Sequence, residues 1–570
     1  MKRNLLFLVS LLWLSSFTWA QQTPKWVEKA KRAVISVVTY DDQGRIIGTS
    51  NGFLVSDDGV AVADYSLFKG AKRAVAITTD SKQLEVTHIL GASSLYDIIR
   101  FQINTEGKRL PFLTPGTSPS EAEKPVWVLP YSTRHSIACE VGRVKSTSAI
   151  ADGHTYYTLS MPPKSNMEGC PVMNESGQVI GILQQAAESG PTDLSYALGL
   201  SFAQALQINA LSLNDPALSS IGIRKAMPQD EDQALVALLV ASTQADASSY
   251  SRMLDEFVAR FPQNPEGYLR RASFRIGQAN DSTDTYQTAT DDLTQALKVA
   301  AQKDEVLFQQ ARILYNYRLN RPEGRNQAWT FDAALKRIQE AKALNPLPAY
   351  TRFEGDVHFA RQDYAAALAC YESVNAGPAA SSSSFFSAAK TKEMLQAKPE
   401  EVVSLLDSCL ARCSQPFAPG EAAYLLERAA ALMNASQARR ALADYDHYFQ
   451  IVNGQVNDRF YLHRYQAALQ SKQYQRALDD IAKAIELAPD ELLYRVEQGA
   501  TNLRVGRYNE AIADFDRIIR QEPDYGEAYR LRGICYTQLK QVSQATADLT
   551  KALELGDPYA KQLLEKLPSR

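Results

Sequence analysis

Short apolar runs separated by turn residues dominate the N-terminal part of the chain. The runs are rich in β-branched residues, as at 33–38, 74–77 and 179–183. Pairs such as Asp58-Gly59 and Ser176-Gly177 lie between the runs and are typical of tight turns. Many short strands at this spacing indicate a β-barrel or sandwich, and not alternating strands and helices. The pattern therefore predicts an all-β region over 25–205.

From about residue 229 onward the apolar positions follow a helical period and recur every 34 residues. Ala477, Ala511 and Ala545 have this spacing, and so do Pro489 and Pro523. Recurrence of several residue types at this period is typical of stacked helical hairpins. The sequence predicts about eight or nine hairpins, with a linker before them. The predicted ranges are 206–228 for the linker and 229–565 for the hairpins, which are clearest over 458–491, 492–525 and 526–559.

Glycines and prolines of the repeat have expected structural roles. Gly499 and Gly533 are expected to let the first helix of a hairpin approach the second closely, with Phe515 filling the space between hairpins. The recurring prolines are expected to end the second helix, because proline cannot continue a helix interior. The stretch 377–384 contains only Gly, Pro, Ala and Ser, and is either a linker between sub-arrays or a long inter-repeat loop.

The first 20 residues have the pattern of an export signal. Lys2 and Arg3 precede a short apolar run, and Ala20 ends a stretch with small residues at the positions expected before a cleavage site. The run is shorter than the roughly 20 apolar residues needed to span a membrane. The next residue is Gln21, so the lipid-anchoring thiol of a bacterial lipoprotein is missing. We expect an exported chain, most simply periplasmic, without a transmembrane segment after cleavage.

Composition excludes some partner classes and leaves others open. The 570 residues carry a formal net charge of -3, which argues against nucleic acid as a partner. Six cysteines are too few for a disulfide-dense fold, and no Cys or His set has the spacing of a zinc site. No metal or cofactor is therefore expected, and a protein or peptide is the expected partner.

Two known families resemble the two halves. Residues 25–205 resemble the protease domain of the HtrA/DegP type, which has the trypsin and chymotrypsin fold. The matching segments are 58–63, 90–98, 168–172 and 177–182, in the family's order. The helical half resembles tetratricopeptide repeats. Together the resemblances imply a multidomain protein, an all-β trypsin-like double β-barrel followed by an all-α repeat solenoid.

The resemblance also identifies three positions of a catalytic triad that has changed. The family's histidine place is held by Ser66, and its nucleophilic serine place by Glu168. Asp97 stands where the family has its aspartate. A hydroxyl nucleophile needs a base within hydrogen-bond reach, and the base needs an orienting group. The resemblance with these departures implies a pseudoprotease.

An active peptidase of unusual design is the competing hypothesis. Cys170 or Ser165 would then be the nucleophile, and His135 or His154 the base. None of these residues lies at the family's own nucleophile or histidine position. In this hypothesis the repeats would recruit the substrate. A third hypothesis is a purely structural component of an envelope complex.

Two cysteine pairs are candidates for disulfide bonds. Cys139 lies in the expected first strand of the second barrel and Cys170 in the loop that packs against it, so the sequence predicts a bond between them in an oxidising compartment. Cys409 and Cys413 are four residues apart in an expected helix. Their Cβ atoms would then be about 5–6 Å apart, which is too far for a disulfide without distortion of the helix end.

The repeat resemblance implies a binding surface on the first helix of each hairpin. Its concave-face positions in the last three repeats include Arg459, Gln466, Arg504, Glu527 and Arg530. Repeats that bind a C-terminal carboxylate place Lys and Asn one turn apart on the first helix. That arrangement is missing from the last three repeats of this chain. A folded partner or an extended internal segment is the expected ligand, and the competing interpretation is a solvated charged face.

Overall fold

A computed structural model describes most of the chain. The described residues are 24–133, 139–164, 166–185, 193–209, 212, 215–278, 283–323, 326, 328–418 and 420–567. The predicted export signal lies outside these residues, and so do Ser165 and His135. The chain divides into two compact units, Met1–Phe274 and Arg275–Arg570.

Six antiparallel strands form a first closed barrel. Their order around the barrel is β1-β2-β3-β6-β5-β4, and β1 pairs with β4 to close it. Val37, Phe53 and Phe101 are fully buried in its core, as the alternating apolar pattern requires. The strands are β1 (Val34–Tyr40), β2 (Ile46–Leu54), β3 (Val60–Ala63), β4 (Arg73–Ile77), β5 (Gln83–Ser93) and β6 (Ile98–Ile103).

A second closed barrel follows with the same design. Its order is β10-β11-β12-β9-β8-β7, and β10 pairs with β7 to close it. Leu159, Val172 and Ala197 are fully buried in its core. The strands are β7 (Pro125–Val128), β8 (Glu140–Ala149), β9 (Thr155–Ser160), β10 (Pro171–Met173), β11 (Val179–Leu183) and β12 (Leu194–Gly199). The predicted all-β double barrel is confirmed.

Short helices lie at the ends of the barrels and between strands. The α-helices are α1 (Val27–Ala30), α2 (Leu200–Ala205) and α3 (Pro216–Ser219). In the described residues, 3₁₀ turns also lie at Lys31–Ala33, Ser66–Phe68 and Ala151–Gly153.

The segment predicted as a linker packs on the first barrel instead. The Gly222 amide donates to the Ala71 carbonyl at 2.7 Å. Further along, the Ile89 amide donates to Arg224 at 2.7 Å, and the Ala226 amide donates back to Ile89 at 2.8 Å. These bonds form a parallel bridge between β5 and the segment, and they satisfy backbone groups that a free linker would leave to water. The prediction of a linker over 206–228 is therefore corrected for the described part of that range.

Helices make up the rest of the chain. Consecutive helices from α8 onward pack as hairpins, as the repeat period predicts. The helix α6 crosses from the first compact unit to the second. The helices are α4 (Glu231–Gln244), α5 (Ala247–Arg260), α6 (Pro265–Gln278), α7 (Thr283–Val299), α8 (Lys303–Asn320), α9 (Phe331–Leu344), α10 (Pro348–Ala360), α11 (Tyr364–Asn375), α12 (Ser382–Met394), α13 (Pro399–Leu410), α14 (Ala423–Asn434), α15 (Ala438–Ile451), α16 (Asp458–Gln470), α17 (Tyr474–Leu487), α18 (Leu492–Arg504), α19 (Tyr508–Gln521), α20 (Gly526–Gln538), α21 (Val542–Glu554) and α22 (Ala560–Glu565).

Close packing inside the hairpins explains the recurring glycines. A Cβ atom on Gly499 would lie 2.7 Å from the ring of Phe515, and one on Gly533 would lie 2.9 Å from Leu549. Any larger residue would therefore push α18 from α19, or α20 from α21. The prolines follow helix ends as expected, since α17 ends two residues before Pro489.

The small-residue stretch near 377–384 connects two packed helices. It joins α11 to α12, which contact each other, and Ser381 caps α12 by accepting a bond from the Ser384 amide at 3.2 Å. Of the two interpretations, the inter-repeat loop therefore applies. Within the described residues, no helix has both the length and the apolar composition needed to cross a membrane.

Candidate functional site

Ser66 and Asp97, two of the three predicted triad positions, are bonded to each other. Asp97 lies in the turn between β5 and β6 with a left-handed φ of 44°. Its carboxylate accepts bonds from the Ser66 amide at 2.6 Å and from the Ser66 hydroxyl at 3.1 Å. The carboxylate therefore fixes the start of the 3₁₀ turn at Ser66–Phe68. The Ser66 hydroxyl that it binds is a much weaker proton acceptor than an imidazole nitrogen.

Glu168, the third position, is half-buried in the loop before β10. Its carbonyl accepts a bond from the Asn51 side-chain amide at 2.9 Å, and the Ser50 hydroxyl lies 3.4 Å from it. Asn51 also accepts from the Tyr131 amide at 2.9 Å. The loop that carries Glu168 is thus held to the first barrel by β2.

Gly169 lets this loop press against the first barrel. Its φ is +72°, and a Cβ atom there would lie 2.3 Å from the Asn51 carbonyl oxygen and 2.9 Å from the carboxyl group of Asp64. Only glycine fits this position without moving the loop. The close contact brings the loop directly over Asp64.

Asp64 is a site residue that the sequence did not identify. Its side chain is 6% exposed, and the Ser50 hydroxyl donates to it at 3.0 Å. Burial, followed by the charge of Asp97, raises the pKa of Asp64 well above its ordinary value. Burial and Asp97 also raise the pKa of Glu168. Three acidic groups thus share the site, and the charges of Asp97 and Glu168 disfavour the ionisation of Asp64.

The structure does not contain the predicted disulfide. Cys139 and Cys170 are both free thiols. Cys170 is fully buried in the core of the second barrel, whereas Cys139 is half-buried against the core of the first. The predicted bond is therefore absent, because Cys170 lies in the core of the second barrel and Cys139 packs against the core of the first.

Cys170 is poorly placed for the alternative role of nucleophile. Its side chain has no exposed surface. Burial and the nearby carboxyl groups of Asp64 and Glu168 raise its pKa well above the ordinary value, so the nucleophilic thiolate is disfavoured. The candidate base His154 pairs through Nδ1 with the Ser201 hydroxyl at 2.9 Å and packs against Phe202.

The predicted binding residues of the repeats separate into two groups. Arg459, Gln466, Arg504 and Glu527 are exposed on the first helices α16, α18 and α20. Arg530 is not free for a ligand, since its guanidinium donates to Asp557 at 2.9 Å and to Glu527 at 2.7 Å. Its side chain is only 16% exposed, so its role in the structure is to hold α20 to the segment after α21.

Buried ion pairs inside the hairpins were also missed by the sequence analysis. An arginine of the first helix pairs with an aspartate 16 residues later on the second, with distances of 2.6 to 2.7 Å. We call this series the Arg–Asp ladder; its members are Arg428–Asp444, Arg464–Asp480 and Arg532–Asp548. The constant spacing of 16 was a signal available in the sequence. No group of acidic, His or Cys side chains in the described part of the chain is arranged to hold a metal ion.

Comparison with known proteins supports both halves of the fold. Residues 50–182 match the model of a trypsin-like peptidase domain. The chain is 24% identical over 172 residues to the protein named "Putative serine protease HhoA" of Synechocystis sp.. This match covers 29% of this chain and 43% of that protein. The chain therefore carries a trypsin-like peptidase domain that is similar to an HtrA-like protein.

The helical half has relatives of its own. Residues 503–567 match the model of the tetratricopeptide repeat. The chain is 28% identical over 93 residues to the SGT1 homolog of Bos taurus, covering 16% of this chain and 28% of that protein. It is 29% identical over 90 residues to DnaJ homolog subfamily C member 7 of Mus musculus, covering 16% of this chain and 18% of that protein. The chain thus spans less than half of each of these curated relatives.

Proposed function

We propose that this protein is an exported, non-catalytic adaptor, in which a pseudoprotease domain is joined to repeats that bind a protein partner in the cell envelope. The observation that carries the proposal is the bonding of Asp97 to Ser66, and the resemblance assigns Glu168 to the nucleophile position. In an active triad the aspartate orients a histidine that accepts the nucleophile's proton. Here the aspartate is occupied by a hydroxyl and a backbone amide.

The charge at the site gives a second argument for catalytic silence. Acyl transfer needs hydrogen-bond donors aimed at the developing oxyanion. Glu168 instead introduces a carboxyl group near two others, Asp64 and Asp97. A carboxyl group at this place does not supply the fixed backbone donors that an oxyanion requires, which supports a role for the domain as a rigid platform.

The repeats supply the partner surface in this proposal. Arg459 and Arg504 are exposed cations on successive first helices, and Leu493 is 46% exposed on α18. Arginine is enriched among the residues that anchor protein interfaces. The missing Lys and Asn pairing argues for a folded protein or an extended internal segment as ligand, bound on the concave face.

Charge reversal on this face tests the binding half of the proposal. Arg459→Glu combined with Arg504→Glu should lower recovery of the bound partner by roughly tenfold or more if these are anchors. The matched control is Lys483→Glu with Lys551→Glu, which reverses two exposed cations on the second helices α17 and α21. Recovery is measured by quantitative mass spectrometry of proteins captured from envelope extract, with folding checked by circular dichroism. Equal recovery by both double variants and wild type would show that this face is not the binding site.

Export rests on the pattern of the first 20 residues. We propose cleavage after Ala20 and a periplasmic location, because the apolar run is too short for a membrane anchor. The mature chain should then begin at Gln21, and peptide mass mapping of the protein isolated from the envelope fraction measures this. A chain recovered in the cytoplasm with residues 1–20 still attached contradicts export.

The second candidate function is an atypical peptidase whose repeats recruit substrate. The trypsin-like fold and the similarity to a protein named as a serine protease favour it. The burial of Cys170 argues against that residue as nucleophile. Ser165 and His135 lie outside the described residues. A peptidase assay is therefore the measurement that distinguishes this hypothesis from the first.

A further inference from the structure

The helix α4 has an apolar stripe on its exposed side. Val236 is 45% exposed and Leu239 is 54% exposed, whereas the opposite side of the helix is buried through Ala234 and Leu238. This helix is the first of the predicted repeat region, and the terminal helices of a repeat array normally present a polar outer face to solvent. Large aliphatic side chains on adjacent turns of such a helix indicate a surface that another molecule covers.

A groove beside this stripe extends the apolar surface. Its volume is about 520 Å³, and it lies between α4, α5 and the segment 219–228. Its apolar lining includes Ile223, Met227, Ala237, Val240, Ala241 and Met253. Val240 directly follows Leu239 on the helix, so the stripe and the groove are continuous.

The groove has a net positive charge, and Arg252 is an exposed cation within it. The guanidinium of Arg252 donates to the Ser248 hydroxyl at 3.2 Å and to the Ser249 hydroxyl at 3.0 Å, which are neutral acceptors. The neighbouring carboxylate of Asp246 accepts from the Ser249 amide at 2.9 Å and so caps α5. In all, three cations and two carboxylates line the groove, namely Arg224, Lys225, Arg252, Asp246 and Glu256.

The N-terminal end of α4 is acidic. Three consecutive carboxylates occupy 230–232, and Asp232 is exposed. Asp232, Val236 and Leu239 recur at spacings of four and three residues, so they lie on one side of the helix. The groove lines the C-terminal half of the same helix. The exposed surface of α4 therefore runs from a carboxylate, over two aliphatic side chains, toward a basic groove.

We propose that α4 is a dimerisation helix, which packs antiparallel on α4 of a second copy of this chain. A two-fold axis between Val236 and Leu239 brings the apolar stripes together. The same axis places Asp232 of each copy beside the basic groove at the C-terminal half of the other helix. The helix dipoles favour this arrangement, because the N-terminus of each helix then lies near the C-terminus of the other.

A second copy fits this surface because the surface is complementary to itself. One continuous patch carries the exposed carboxylate of Asp232 and the exposed guanidinium of Arg252, separated by apolar side chains. A two-fold contact uses the same patch on both subunits, so each dimer contains the charge pair twice. The dimer goes beyond the proposed adaptor function and does not depend on it.

Sedimentation equilibrium of the full-length protein over a range of concentrations tests the dimer. We expect the wild-type protein to reach twice the mass of one chain. Leu239→Asp should raise the dissociation constant by roughly tenfold or more, because it places two carboxylates at the centre of an apolar contact. The matched control is Leu487→Asp on α17, where the leucine is 53% exposed, and it should leave association unchanged. Circular dichroism checks the folding of each variant.

Charge exchange tests the antiparallel arrangement. Asp232→Arg alone and Arg252→Glu alone should each weaken association, because each sets like charges against one another. Both changes in one chain should restore association toward the wild-type value, since the pair reforms with its signs exchanged. A wild-type protein that stays monomeric at every concentration, or a dimer that Leu239→Asp leaves intact, would overturn the proposal. Single and double charge variants that associate equally would overturn the antiparallel packing.

Discussion

Asp64 holds a buried carboxyl group between the Ser50 hydroxyl and the close contact at Gly169. Its pKa is raised first by burial and then by the charge of Asp97. The folded protein therefore keeps a proton on Asp64 at pH values where the unfolded chain has released it. The stability linked to this proton is fully present below the unfolded pKa and is lost as the pH rises through the folded pKa.

The change Asp64→Asn tests this linkage. Asparagine keeps an acceptor for Ser50 but does not ionise, so the variant should gain in melting temperature relative to wild type as the pH rises. The measurement is thermal unfolding of both proteins across the acidic and neutral range, with the exposed Asp42→Asn as control. A difference that stays constant with pH would show that Asp64 does not titrate in this way.

The site could be predicted from the sequence only in part. Ser66, Asp97 and Glu168 were assigned from segments that resemble the family in order along the chain. Asp64 was not, because its importance depends on a loop from the second barrel that closes over the first. The pairing of Cys139 with Cys170 failed for the same reason, since it required knowing which core each sulfur enters.

At the scale of the helices, the Arg–Asp ladder links helices within a hairpin and between neighbouring hairpins. Arg532 pairs with Asp548 within its own hairpin and also with Asp516 of the preceding one at 2.5 Å. Each such arginine neutralises a buried aspartate, which would otherwise carry the full cost of desolvation. The ladder therefore joins the two helices of a hairpin and, through the second carboxylate, successive hairpins.

The ladder is interrupted in the hairpin of α18 and α19. Asp514 holds the aspartate position and is 6% exposed, but the arginine position 16 residues earlier is Gln498. Asp514 accepts a bond from the Asn502 side-chain amide at 3.0 Å. Burial raises the pKa of Asp514, as it does for Asp480, but the opposing hydrogen bond at Asp514 comes from a neutral amide and not from a guanidinium.

Restoring the arginine should stabilise this hairpin. Gln498→Arg places a guanidinium opposite Asp514, and a hydrogen bond to a charged group contributes about 1.5–3 kcal/mol. We expect the free energy of unfolding to rise by about 1 kcal/mol or more after the cost of burying the new charge. Urea unfolding measures this free energy. The control is Gln498→Met, which places an unbranched side chain without charge at the same position. A gain that is no larger for arginine than for methionine would contradict the ladder's role.

Elements were predictable where the repeat is regular. The 34-residue spacing correctly identified the helices from α16 to α21, because glycine, alanine and proline recur there at fixed places. The end of α13 was not predictable, since the chain from Ala411 to Cys413 has no helix breaker. The packing of 215–226 on the first barrel could not be predicted either. It depends on backbone hydrogen bonds to Ala71 and Ile89, which require no periodic pattern of side chains.

At the scale of the whole molecule, the chain divides into two compact units. The first contains both barrels, and the second contains most of the repeats. The fold of each could be predicted from its sequence period, since strands and helical hairpins bury different patterns. The function could not, because a fold hosts many activities and only the side chains of the site decide between them.

Cleavage of unfolded, fluorescently labelled casein by the purified full-length protein is the most direct test of the non-catalytic proposal. The rate is measured against a buffer blank, with and without prior treatment with serine-directed and cysteine-directed inhibitors, and active trypsin is the positive control. With Ser66 and Glu168 in place of base and nucleophile, we predict a rate equal to the blank under every treatment. A rate above the blank that either inhibitor abolishes would contradict the account and establish the domain as a peptidase.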